Sequence, residues 1–221
     1  MKLGVTLIPD WAAERRKMVE TQLRRRGIHD EGVLQAMLEI PREEFVPAES
    51  RLVAYQDEPI HIGHGQTISQ PYMTALMAES LELTGTQTVL EVGAGSGYAA
   101  AVLGALAARV VAVEIIPALA QLAFENLRRT GRDTNVTVVC GDGSLGYPEA
   151  APFDAISVAA GAPEIPAALL SQLKDPGRLV IPVGDYGDQE LRVVSKRHGR
   201  IDYRVPVLCR FVPLHGEEGW E

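Results

Sequence analysis

Three glycines at every second position, Gly93, Gly95 and Gly97, follow the run T-V-L-E-V at 88–92 and precede an alanine-rich stretch from Tyr98. A strand that ends in glycines and feeds a helix leaves backbone N–H groups beside a gap with no side chains, which suits a ligand lying against the main chain. Three acids stand around this turn. Glu91 precedes it and suits a cationic centre or an ammonium group better than a pyrophosphate. Glu114, 21 residues after Gly93 and followed by Ile115, closes the next apolar run, where a carboxylate can accept from both hydroxyls of a ribose. Asp142, in G-D-G with Gly143, ends a third and can reach an adenine amino group. The spacing is not G-x-G-x-x-G, because Tyr98 stands where a dinucleotide site has its third glycine. A ligand with ribose, adenine, ammonium and sulfonium but no phosphate is S-adenosylmethionine, with S-adenosylhomocysteine as its product. Each acid taken singly also reads as an exposed strand end.

The elements that position these groups alternate. Trp11–Arg26 has helical spacing and stops at Gly27; Asp30 reads as the N-cap of a second helix through Glu39, ended by Pro41. Pro41–Glu58 has no clear period. Gly63 and Gly65 then break the chain, and Pro71 opens a helix carrying Met73, Leu76, Met77, Leu81 and Leu83. Helices are expected at Tyr98–Ala108, Pro117–Thr130 and Ile165–Gln172. Strands are expected at Arg109–Glu114, Val136–Cys140, Phe153–Val158 and Arg178–Val183. Glu190–Lys196 and Arg204–Val212 alternate about a turn at His198-Gly199. The fold class is therefore α/β, a doubly wound and mostly parallel sheet with N-terminal helices and a C-terminal antiparallel hairpin. One domain is expected: an N-terminal helical and substrate-side region at 1–85, a cofactor-binding core at 86–184 and a β extension at 185–221.

Composition narrows the function. With 221 residues, 46% apolar and 23% charged, the chain can bury a substantial core. Its formal charge of −8 argues against nucleic acid as a partner, and the basic runs at 15–17 and 24–26 read as solvated helix faces. The N-terminus meets Pro9 and Asp10 too soon for a signal peptide, and the apolar run Tyr98–Ala108 is far short of a membrane span of ~20 residues. Cys140 and Cys209 are far apart and read as reduced thiols of a cytoplasmic monomer. No histidine pair has metal-ligand spacing, so no metal is expected.

V-L-E-V-G-A-G-S-G-Y resembles the first motif of class I methyltransferases. G-Q-T-I-S-Q-P-Y-M before it, and G-D-G-S-L-G-Y-P-E-A-A-P-F-D-A-I and G-R-L-V-I-P-V-G after it, resemble protein-L-isoaspartate O-methyltransferases, over about Val19 to Leu214. The resemblance implies methyl transfer from S-adenosylmethionine to the free α-carboxylate of L-isoaspartyl residues, with D-aspartyl residues as a further class, in damaged proteins and peptides. The ester closes to a succinimide, which reopens partly to normal aspartate. It makes Ser69 the active-site residue, Gly93, Gly95, Gly97 and Glu114 cofactor ligands, and Gln66, Thr67 and Ile68 with Ser69 the lining between cofactor and substrate. Some members have threonine after the final V-P-L where this chain has His215.

Ser69, read alone, is a helix cap before Pro71. A carboxylate is already ionised at pH 7, so its methylation needs no general base, and no Cys–His or Ser–His–Asp set is visible. An extended peptide could add to main chain near Ile62–Gly65 or Val207–Val212, although the late strand reads equally as a plain sheet edge. A methyltransferase with another acceptor, a nicotinamide dehydrogenase and a cofactor-binding module without catalysis are the competing readings.

Overall fold

In the computed structural model, residues 9–220 are described, so the reading of the first residues falls mostly outside them. α1 (Trp11–Met18) starts at Asp10, whose side chain accepts from the Ala13 amide at 3.0 Å. The single helix expected here instead widens into a π-helical turn at Val19–Leu23 and tightens at Arg24–Arg26. Gly27, at φ 93°, then ends it. α2 (Glu31–Glu39) is capped by Asp30 as expected. The aperiodic segment after Pro41 forms two short 3-10 helices, Arg42–Glu44 and Ala48–Val53.

The glycines before Pro71 do more than break the chain. β1 (Ile60–Gly63) and β2 (Gln66–Ile68) pair as an antiparallel hairpin, with His64 and Gly65 in left-handed backbone at its tip. Strands of four and three residues are too short to announce a period. α3 (Pro71–Ser80) follows at once.

The main sheet then builds in register with the apolar runs. β3 (Thr88–Val92), α4 (Tyr98–Leu106), β4 (Arg109–Glu114), α5 (Pro117–Arg129), β5 (Val136–Cys140) and β6 (Phe153–Val158) follow in turn. α6 (Ala167–Gln172) starts two residues later than expected, behind Pro166. β7 (Leu173–Asp185), β8 (Asp188–Arg197) and β9 (Arg200–Cys209) complete the sheet. The strand order is 5-4-3-6-7-8-9; it is parallel through β7 and antiparallel beyond. β7 is longer than Arg178–Val183, and β9 ends at Cys209, so Arg210–Val212 leave the sheet.

Alternate strand residues face opposite cores. Val89, Val110, Ala112 and Ala155 join α4, α5 and the N-terminal helices on one face. Leu90, Val92, Val111, Val113 and Ile156 join Leu169 and Leu214 on the other. The order reverses at β3, which sends its successor β4 to one side while β6 joins on the other. The carboxyl ends of β3, β4 and β6 therefore splay apart and leave a crevice.

Candidate active site

A cavity open to solvent occupies that crevice. Gln66, Thr67, Ile68, Ser69, Gly93, Gly95, Glu114, Ile115 and Gly143 line it, so most of the expected site residues converge there. Thr74, Tyr98, Ala159 and the Val212–His215 stretch also contribute walls. Glu114 is 5% exposed, and its carboxylate accepts from the amides of Gly95 at 2.8 Å and Ile116 at 3.0 Å. It is thus fixed across the glycine turn, with lone pairs left for a ligand.

Three expected residues do not line the cavity. Glu91 shares the face of Val89, beneath the turn, and is 1% exposed with neither carboxylate oxygen hydrogen-bonded. Burial pushes its carboxyl well above the usual carboxylate range, and the Glu114 charge adds to that. Gly97 shapes helix packing: at φ 86°, an added Cβ would stand 3.1 Å from the Ala123 carbonyl oxygen and 3.2 Å from its Cα. Asp142 turns to its own neighbourhood and to the C-terminal tail. One oxygen accepts from the Ser144 amide at 2.8 Å and hydroxyl at 2.7 Å, the other from the Glu217 amide at 2.8 Å. Burial opposes its ionisation, but these bonds outweigh it and hold the carboxyl below its ordinary value. The picture of three acids facing one crevice thus gives way to one acid in the wall, one beneath it and one holding the tail.

That tail forms the remaining wall. The amide of Gly161 donates to Val212 O, and that of Leu214 to Gly161 O, each at 2.8 Å. The Trp220 indole N–H donates to Gly161 O at 3.0 Å. His215 therefore stands in the lining.

Ser69 sits between β2 and α3. The helix N-cap is Gln70, no side chain caps the helix, and the Ser69 hydroxyl makes no hydrogen bond among the described residues. Its capping role is therefore not realised, and the hydroxyl is left to the cavity. What holds Ser69 is its carbonyl oxygen, which accepts from Arg42 Nη2 at 2.8 Å. Arg42 is fully buried, donates from Nε to Ala54 O at 2.7 Å, and lies with its guanidinium carbon 4.9 Å from the centre of the Tyr98 ring. Sequence reasoning missed it, because an arginine in a charged, aperiodic segment reads as surface.

The lining tests the choice of ligand. Among the described residues, no lysine or arginine lines the cavity, whose ionisable members are Tyr98, Glu114 and His215. A pyrophosphate would find no cation there, whereas an uncharged nucleoside with a sulfonium tail fits the glycines, the apolar walls and one fixed carboxylate. Glu91 and the buried, unpaired hydroxyl of Ser96 leave polar capacity just beneath the turn.

A second, smaller groove lies on the other side of Ser69 and shares Thr67, Ser69, Ala159 and Val212 with the cavity. One ligand in the cavity and another in the groove would meet at Ser69.

Comparison with known proteins agrees with this geometry. Residues 13–219 match the family model described as protein-L-isoaspartate(D-aspartate) O-methyltransferase. A protein-L-isoaspartate O-methyltransferase 2 of Marinobacter nauticus is 57% identical over 208 residues, covering 93% of this chain and 94% of that one. A protein-L-isoaspartate O-methyltransferase of Hyperthermus butylicus is 51% identical over 223 residues, covering 96% and 92%. A solved protein-L-isoaspartate O-methyltransferase superposes with a TM-score of 0.80 at 33% identity, over 93% of this chain and 67% of that one. A Plasmodium falciparum structure assigned to the same activity, in complex with S-adenosyl-L-homocysteine, gives 0.74 at 28% identity, over 94% and 99%. The chain belongs to the protein-L-isoaspartate(D-aspartate) O-methyltransferase family.

Proposed function

We propose that the chain methylates the free α-carboxylate of L-isoaspartyl residues in damaged proteins and peptides, using S-adenosylmethionine, and so starts repair through a succinimide. The observation that carries this reading is the pair of spaces joined at Ser69, one without cations and floored by glycines, the other open to a peptide. When bound, the cofactor supplies an electrophilic methyl group on sulfur.

Gln66, Thr67, Ile68, Gly93, Gly95, Glu114, Ile115 and Gly143 hold the cofactor directly. Glu91 acts from beneath, Gly97 by letting the turn approach α5, and Asp142 by fixing the tail that closes the wall. Ser69 is the catalytic residue: its hydroxyl donates to the substrate carboxylate and sets one oxygen toward the cavity. No proton has to be removed, so alignment and exclusion of water by the Val212–His215 wall are the chain's contribution. The chain acts as one methyltransferase domain and a cytoplasmic monomer, with no nucleic-acid partner. No described helix is long and apolar enough to cross a membrane.

The test is transfer of labelled methyl groups to a peptide with one isoaspartate, beside its aspartyl twin. Base-labile label on the first peptide only is expected. Equal labelling of both, or of neither, refutes the proposal.

A further inference from the structure

A protein of net charge −8 must hold an anionic acceptor, and Ser69 offers one neutral donor. The groove beyond Ser69 supplies what is missing. Its lining comprises Pro59, Met73 and Ala159 with Thr67, Ser69, Gln70, Arg210, Phe211 and Val212, and Arg210 is the one charged side chain in it. Arg210 lies just past the end of β9, where the chain leaves the sheet and turns along the groove. Its Nε donates to Gly187 O at 2.8 Å, which orients the planar fork and leaves the two terminal nitrogens available. Among the described residues no carboxylate lies within salt-bridge distance of it. Asp57, which bonds the groove residue Gln70, is already taken by Arg26 and by the Tyr72 amide.

A fork held at one nitrogen, with its outer pair free beside an acceptor site, matches a carboxylate in both charge and shape. We propose that Arg210 is a specificity-determining residue of the methyl-transfer reaction, its guanidinium receiving a carboxylate of the isoaspartyl peptide. The inference rests on the function proposed above. The carboxylate has two sources: the α-carboxylate that accepts the methyl group, or an acidic side chain flanking it.

The experiment compares wild type, Arg210→Gln and Arg210→Lys on two isoaspartyl peptides, one with neutral flanks and one with glutamates beside the damaged residue. Binding of S-adenosylhomocysteine and the melting temperature are measured in parallel. For Arg210→Gln, KM is expected to rise about tenfold with cofactor affinity unchanged, the loss of one charge-assisted contact. A rise on both peptides identifies the acceptor carboxylate, and a rise on the glutamate-flanked peptide alone identifies the flank. Arg210→Lys keeps the charge without the fork and is expected to fall between. KM values within about twofold of wild type for both variants, on both peptides, overturn the inference and leave the proposed function standing. Wild type inactive on both peptides refutes that function and the inference with it. Should Arg210→Gln fail to fold, the salt dependence of wild-type KM decides. A rise between about 0.05 M and about 0.5 M salt is expected, and a flat response overturns the inference.

Discussion

Arg42→Met tests whether the acceptor side of the site is held from within the core. Arg42 is fully buried and offers ionic hydrogen bonds to two carbonyls from different segments, Ala54 O and Ser69 O. Methionine fills much of the same space but leaves both oxygens without a donor, at about 1–3 kcal/mol each. Loss of the contact with the Tyr98 ring adds about 0.5–2 kcal/mol. Against this stands relief of a desolvated charge, for burial lowers the Arg42 pKa and its Nη1 has no partner. Since the lost contacts come to several kcal/mol, we expect a net destabilisation of about 2–4 kcal/mol in urea unfolding followed by tryptophan fluorescence. The functional consequence is separable. With its carbonyl untethered, Ser69 drifts from the groove, so kcat/KM on an isoaspartyl peptide should fall while binding of S-adenosylhomocysteine, measured well below the unfolding transition, is retained. Arg42→Lys should recover only part, because one ammonium lacks the fork that spans two acceptors. A methionine variant within about 0.5 kcal/mol of wild type and equal to it in kcat/KM refutes the reasoning.

Further outcomes follow from the groups in and around the cavity. Ser69→Ala should lower kcat by about 10- to 100-fold, the worth of a hydrogen bond to a charged group, with the dissociation constant for S-adenosylhomocysteine unchanged. Full activity would remove Ser69 from the reaction. Glu91→Gln should gain stability relative to wild type as pH rises. Burial, with the Glu114 charge, raises the native pKa, so below the unfolded value both states are protonated. Above it only the unfolded chain ionises, and wild type alone loses stability until the native value is reached. Urea midpoints of the two proteins that keep a constant gap between about pH 5 and about pH 8 would contradict this. Asp142→Ala should free the tail, shift Trp220 emission and weaken cofactor binding. In wild type the lowered Asp142 pKa means that its contribution is present above the unfolded value and is lost as pH falls through the native one, so acid should loosen the tail as the alanine does. An unaltered emission maximum in the variant would show that Asp142 does not hold the tail.

What the sequence disclosed about this molecule was whatever is written in nearest neighbours. Five apolar runs, a triple-glycine turn and proline-started helices fix a doubly wound sheet, and such a sheet places a crevice at the strand ends wherever its order reverses. The cavity wall was therefore legible at Gly93, Gly95 and Glu114, and the bond that ties Glu114 to Gly95 spans only 19 positions. The supports of Ser69 and of the tail were not, because they reach across the chain. Arg42 meets Ser69 from 27 positions away, and the Asp142 carboxylate meets the Glu217 amide across 75. Arg210 gains its significance only because β9 stops at Cys209, one residue before it; in the longer strand expected at Arg204–Val212 it would be one more edge charge. Asp142 makes the point most directly. An aspartate in G-D-G at a strand end has the same local sequence whether it faces a nucleoside or an amide of a distant tail. Glycine at 216 is the residue that decides it, for any Cβ there would stand 2.1 Å from an Asp142 oxygen. The tail can close over the strand end only because that side chain is absent, and once it has closed, the aspartate faces the tail and is turned away from the cavity.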